Sequence, residues 1–280
     1  MNRFLYTFLF LFAAVSFFAS CSGRNEGRQA ASQTHTITVG GSTSVAPLME
    51  LFKAAYESQH SNIRVSISAS GSGDGIRGAA AGTFEIGMSS RDLTPAERGA
   101  DIREFVAAID GIGVIVNNDS SVSDLSREQL RDIYTGAIRR WEQLGAAAQG
   151  KTGPIAVISR ESASGTRTAF EEILNFRDQL VNGAVEFDGT GAVKAEVFRN
   201  IHAIAYISLG SADNTVKLLN IGGFAPNTDN ITAGTYEIAR PFILLTRRSA
   251  ALNPGTQAFL DWILSAEGQS IVSGNWIRVN

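Results

Sequence analysis

Three times in this chain a short apolar run ends in a knot of glycine and hydroxyl residues and then passes into a helical pattern. Residues 36–39 run into Gly40-Gly41-Ser42-Thr43-Ser44, after which Val45, Leu48, Met49, Phe52 and Tyr56 recur at helical spacing. The alternating run 63–69 leads into Ser70-Gly71-Ser72-Gly73-Asp74-Gly75-Ile76. Residues 154–159 lead through Arg160 into Ser162-Ala163-Ser164-Gly165-Thr166, and Phe170, Ile173 and Leu174 then share one helical face. A fourth cluster, Ser89-Ser90-Arg91, closes the apolar run 84–88. Strand, tight turn and helix in repetition predict an α/β fold, in which such turns gather at the carboxyl ends of the strands, where ligands bind.

The chemistry of these turns points to an anion. The first N–H groups of a helix have no intrahelical acceptor, and the helix dipole adds partial positive charge there. Glycine lets backbone approach closely, and serine and threonine add hydroxyl donors. One such turn is an ordinary N-cap. Several together, with Arg160 beside the last, match what a small tetrahedral oxyanion needs when it is held away from water, because each buried oxygen requires partners.

Other chemistries find less support. Gly73-Asp74-Gly75-Ile76-Arg77-Gly78 fits the G-x-G-x-x-G spacing, with Asp92 further on, but Asp92 follows another turn and closes no clear second strand. No G-x-S-x-G occurs, and His35, His60 and His202 fall in a tether region, at a polar helix end and before a strand. One cysteine and no paired histidines give no metal-ligand spacing, so no metal and no cofactor is expected. With 24 Lys and Arg against 27 Asp and Glu, a net charge of −3, and no basic-aromatic interleaving, nucleic acid is not an expected partner. An anion must therefore be attracted by a local cluster of donors.

The start of the chain reads as an export signal. Arg3 gives the positive n-region, and residues 4–18 are apolar apart from Thr7 and Ser16, too short a run to span a bilayer comfortably. It ends in Phe18-Ala19-Ser20-Cys21, which resembles the bacterial lipoprotein cleavage box, so residues 1–20 are expected to be a signal peptide and Cys21, the only cysteine, the lipidated residue. Residues 21–34 read as a polar tether. The 260 residues from Cys21 onward are enough for one large or two medium domains.

Taken together, Gly41-Ser42-Thr43-Ser44-Val45 with Pro47-Leu48, Ser70 to Ile76, Ile86-Gly87-Met88-Ser89-Ser90-Arg91, and Arg160 with Ser164-Gly165-Thr166-Arg167 resemble the phosphate-binding lipoproteins of bacterial phosphate ABC importers, of the type II periplasmic binding protein superfamily. Residues 203–208 and 240–245 also look familial. The resemblance covers most of the mature chain. It implies two α/β lobes joined by two crossing strands, with inorganic phosphate enclosed between them and handed to an ABC permease and its ATPase. The carrier would be a monomer outside the cytoplasmic membrane, held there by its lipid alone, and not an enzyme.

Carried over residue by residue, the resemblance implies phosphate contacts from Thr43, Ser44, Ser72 and Ser90 in the first lobe and from Arg160, Ser164, Gly165 and Thr166 in the second, with Ser42, Gly73, Asp74 and Arg91 as possible additions. Ser90 stands where some members carry an aspartate that accepts the proton of phosphate and repels sulfate. A hydroxyl accepts that proton without repelling, and Asp74 is a possible substitute acceptor. Sulfate or molybdate, a surface sensor uncoupled from transport, and an extracellular phosphoryl-processing enzyme remain the alternatives.

The remaining pattern fits two lobes. Residues 109–116, with Gly111 and Gly113 inside an apolar run, suggest the first crossover. A helix is expected over 125–134, Trp141 as a core anchor, and a return to the first lobe across the glycine- and asparagine-rich segment 222–234. The expected bounds are 35–113 and 226–280 for lobe 1 and 114–225 for lobe 2.

Overall fold

The computed structural model describes residues 34–279, so the expected signal peptide, Cys21 and nearly all of the expected tether lie outside the described residues. The chain runs β1 (His35–Gly41), α1 (Ala46–Gln59), β2 (Ile63–Ala69), α2 (Ser72–Ala81), β3 (Ile86–Ser89), α3 (Pro95–Arg98) and then the long β4 (Ile102–Val116). His35 is the first residue of β1, its backbone paired with Ile63 and its ring reaching Thr256 Oγ1 at 3.1 Å. Next come β5 (Asp124–Leu125), α4 (Arg127–Thr135), a 3₁₀ segment (Trp141–Ala148), β6 (Ala156–Arg160), α5 (Gly165–Ile173), β7 (Val185–Phe187), α6 (Gly189–Arg199) and β8 (Ala203–Ser208). The chain closes with β9 (Lys217–Leu218), β10 (Asn220–Ile221), α7 (Thr228–Thr232), β11 (Ala239–Arg247), α8 (Pro254–Leu264) and α9 (Ala266–Val272). The helix expected from residue 125 starts at Arg127 because Ser126 caps it, accepting from Gln129 N–H while the Gln129 side chain accepts from Ser126 N–H.

The strands follow the order β2-β1-β3-β11-β4-β8-β6-β7, with β9 also on β4. β4 is the strand that joins the two halves. From Ile102 to Gly111 it pairs antiparallel with β11, and from Ile112 to Val116 it pairs with β8. The switch falls at Gly111, where a Cβ would stand 2.6 Å from Ile231 Cδ1, so a larger residue would have to displace the end of that side chain.

Each half has its own core, as alternating strands and amphipathic helices require. In the first half Ile37, Val39, Leu48, Phe52, Met88, Phe242, Phe259 and Trp276 pack on one sheet face, and Ile76, Ala79, Leu93 and Leu245 pack on the other. In the second half Val114, Ile133, Tyr134, Trp141, Phe170 and Tyr206 form the larger cluster, and Ile115, Ile158, Val193, Val197 and Ile207 the smaller. Trp141 is the expected anchor, fully buried. The return to the first half comes later than residue 226. Tyr236 and Ile238 belong to the second-half core, Ile231 packs against it, and the Tyr236 hydroxyl donates to Ile112 O at 2.7 Å. The glycines that suggested a linker are surface turns, and the crossing is made by β11.

Candidate functional site

The parallel strands β1, β3 and β6 end on one cleft, and the turns that follow them meet there. Ser42, Ser44, Ser72, Ser90, Arg160, Ser164 and Thr166 are all at most 2 % exposed, a concentration of buried polar groups that no apolar core would tolerate without a use. Across the two halves Ser44 Oγ lies 2.7 Å from Thr166 Oγ1, and Ser90 Oγ lies 3.5 Å from the same atom. Within the first half Ser42 Oγ accepts from the N–H groups of Ser44 at 3.2 Å and Val45 at 3.4 Å. Its own proton is therefore directed to Ser90 Oγ at 2.9 Å. Ser90 N–H donates to Ser72 Oγ at 3.0 Å.

The two halves touch backbone to backbone here. Gly73 N–H donates to Ala163 O at 3.2 Å, and Gly71, at φ 110°, faces the same carbonyl. Gly165 opens α5 so near the first half that a Cβ on it would stand 2.2 Å from Ser72 Oγ and 2.9 Å from Ser90 Oγ. A glycine is required by this approach, and not by φ. Ser164 serves as the N-cap of α5, accepting from Arg167 N–H at 3.3 Å. Arg167 in turn donates to Arg160 O at 2.8 Å and pairs with Glu171 and Glu186, which fixes the turn between β6 and α5.

Arg160 projects from the end of β6 with its guanidinium buried. Its Nε and Nη2 each lie 2.8 Å from Glu161 carboxylate oxygens, a two-pronged pair. Nη2 also donates to Thr43 Oγ1 at 2.9 Å and Nη1 to Thr190 Oγ1 at 3.4 Å. Thr43 is thus drawn to the arginine from the opposite half.

Of the further residues considered, Ser42 and Gly73 lie in the cluster. Asp74 instead pairs with Arg77 at 2.6 Å and is 41 % exposed, while Arg91 is held by both Glu97 oxygens at 2.8 Å. That arginine, with the N–H of Thr94, holds the Glu97 carboxyl down to about 2. Neither Asp74 nor Arg91 joins the hydroxyl cluster. Among the described residues no carboxylate bonds to Ser42, Ser72 or Ser90, whose hydroxyls bond to one another instead.

Two residues of the site escaped the sequence reading. Thr190 sits in the first turn of α6, 7 % exposed, and touches both Arg160 and Ser44 Oγ, the latter at 3.5 Å. Its signal was present in Asp188-Gly189-Thr190-Gly191, a fourth turn of glycine and hydroxyl composition before a helix. Glu161 is the other. An arginine buried this completely must find a carboxylate, but its partner could not be chosen from spacing alone.

The chemistry available is recognition. The cleft presents hydroxyls, helix N-termini and one guanidinium from two halves. Among the described residues no group of three or more His, Cys, Asp and Glu could hold a metal ion. Residues 27–267 match the family model of the PBP superfamily domain. The chain is 30 % identical over 247 residues to the phosphate-binding protein PstS of Borreliella burgdorferi, covering 84 % of this chain and 87 % of that one. It is similar in structure to a candidate phosphate ABC transporter substrate-binding protein of Clostridium perfringens solved with bound phosphate. There the TM-score is 0.84 and the identity 38 %, over 88 % of this chain and all of that one. An ABC-type phosphate transport receptor of Vibrio cholerae superposes with a TM-score of 0.71 at 33 % identity, over 87 % of this chain and 100 % of that chain. The chain belongs to the PBP superfamily, in the family of the phosphate-binding PstS proteins, with their two-lobe α/β fold.

Proposed function

We propose that this protein captures inorganic phosphate between its two lobes and delivers it to an ABC permease. The observation that carries the reading is the buried cluster of Ser42, Ser44, Ser72, Ser90 and Thr166 with Arg160, drawn from the ends of strands on both sides of the cleft. In the closed form these hydroxyls bond to one another. A tetrahedral anion entering the cleft exchanges hydroxyl-to-hydroxyl contacts for stronger charge-assisted ones, and receives contacts from both lobes only when they are together. The anion therefore shifts the population toward closure, with motion at the crossing strands near Gly111 and Ala239. Thr43, Ser44, Ser72, Ser90, Arg160, Ser164, Gly165, Thr166 and Thr190 are the contacts proposed for it.

The relatives are named as binding and transport proteins, and the reading includes no covalent step. The rest of the proposal places the protein outside the cytoplasmic membrane as a monomeric lipoprotein anchored through Cys21. The two lobes comprise roughly the chain before Ile112 plus that from Ala239, and the chain between. Calorimetric titration of the purified protein with phosphate, sulfate and molybdate tests the function. Saturable binding of phosphate supports it, and binding of sulfate or molybdate with none of phosphate overturns it.

A further inference from the structure

Below the cleft, where β4 and β11 cross between the lobes, two charges are sealed into the fold. Arg240 is 4 % exposed and Asp110 1 %, and the two stand opposite each other in the strand register. Arg240 Nη2 lies 3.0 Å from Asp110 Oδ2, but off the hydrogen-bond direction, so that among the described residues Nε, Nη1 and Nη2 find no hydrogen-bond acceptor. Asp110 is better held on its other oxygen, where Oδ1 accepts from Ser208 Oγ at 2.9 Å and lies 3.5 Å from Gly210 N. A guanidinium buried with its donors unused is costly unless a negative charge is brought near.

An anion held in the cleft would supply one. Arg240 is three residues along β11 from Ile243, which pairs with Ser89 next to Ser90, about 10 Å of strand. Arg160 approaches from the other lobe closely enough for the two guanidiniums to repel. Arg160 shares its charge with Glu161, and behind it Arg240, metered by Asp110, is a second buried charge that can answer an incoming anion. The groups that act on Asp110 are Arg240, Ser208, the Gly210 N–H and Trp276, while Tyr236 feels its charge and Tyr206 that of Arg240. Burial pushes the Asp110 carboxyl up to about 6, with Arg240 opposing, and pushes Arg240 down to about 10.

We propose that Asp110 and Arg240 form a charge regulator beneath the cleft: anion capture draws a proton from solvent onto Asp110, and the positive charge of Arg240, no longer compensated, then balances the anion. The direction follows from electrostatics, since a negative ligand disfavours the carboxylate and favours the guanidinium. One added charge about 10 Å away, at an effective dielectric of about 20, would raise the proton affinity of such an acid roughly tenfold. From about 6, that brings Asp110 to neutrality. The regulator makes Arg240 a positioning residue that acts through space, and it rests on the phosphate reading above.

Two measurements test it. Infrared difference spectra of the wild-type protein, with phosphate minus without, should gain a protonated-carboxyl stretch at neutral pH, and its absence overturns the proposal. Asp110→Asn keeps an acceptor for Ser208 and leaves Arg240 uncompensated. It should bind phosphate about tenfold more tightly than wild type at about pH 8 and converge with it below about pH 5, where Asp110 is already protonated. The double variant with Arg240→Met should lose that gain. A merely structural pair would weaken binding alike at every pH, which refutes the regulator, as does an unchanged affinity. If Asp110→Asn does not fold, the infrared result decides alone. Failure of the wild-type protein to bind phosphate overturns the functional reading instead, and is seen first.

Discussion

Gly165→Ala separates closure of the cleft from stability of the lobes. The added methyl carbon would stand 2.2 Å from Ser72 Oγ, 2.8 Å from Ser72 Cβ and 2.9 Å from Ser90 Oγ, all on the opposite lobe. Ordinary contact for such atoms is near 3.4 Å. The lobes must therefore stay about 1 Å further apart, or Ser72 must rotate out of the site. Neither is cheap, because Ser72 Oγ also accepts from Ser90 N–H at 3.0 Å. A shift of about 1 Å takes the hydroxyl contacts between the lobes, Ser44 to Thr166 at 2.7 Å and Ser90 to Thr166 at 3.5 Å, beyond hydrogen-bond range. Loss of two charge-assisted bonds to an anion, at about 1.5 to 3 kcal/mol each, weakens binding by about 3 to 6 kcal/mol, or roughly a hundredfold or more. In the open protein the methyl meets nothing from the other lobe, and alanine is a better helix residue than glycine, so ligand-free thermal stability should be unchanged or slightly higher. Calorimetry with phosphate and a melt without it give both numbers. Phosphate affinity within threefold of wild type, or a large loss of ligand-free stability, would refute the close approach as the source of the effect.

Further outcomes follow from single contacts. Thr190→Val removes the hydroxyl that holds Arg160 Nη1 and should weaken phosphate binding by about 1 kcal/mol, roughly fivefold, in the same titration. Ser90→Asp places a carboxylate beside Ser72 and should depress sulfate affinity much more than phosphate affinity, seen as a rise in the ratio of the two dissociation constants. The Glu97 carboxyl, held down to about 2 by Arg91, contributes stability that is present above its unfolded value of 4.5 and is lost as pH falls toward 2. Melting of Glu97→Gln against wild type should show a deficit at pH 7 that shrinks across that window.

The parts of the site legible in the sequence were those in which local composition and function coincide. A helix N-terminus of the kind that suits an anion is written in consecutive residues, so Ser42 to Ser44, Ser70 to Gly75 and Ser164 to Thr166 could each be picked out as a turn of that composition, and the fold brings them together. Thr190 was missed although its turn has the same composition, because the strand before it, Val185–Phe187, is short and largely exposed and gives no apolar run. Pairings between distant segments were hidden for a different reason. That Asp110 faces Arg240 depends on the register of two long strands, which carries no local mark. The end of the second lobe was misplaced because glycine and asparagine between residues 222 and 234 indicate turns, not the core a segment packs against. Tyr236 and Ile238, a few residues on, are buried in the second lobe.

The central claim is that one phosphate is gripped from both sides by these turns. A crystal structure of the protein with phosphate tests it most directly. The account predicts the phosphorus between the N-termini of α1, α2 and α5, with Ser72, Ser90 and Thr166 hydroxyls and Arg160 within hydrogen-bond distance of its oxygens. Phosphate bound to one lobe alone, or at a site that leaves these hydroxyls bonded to one another, would contradict it.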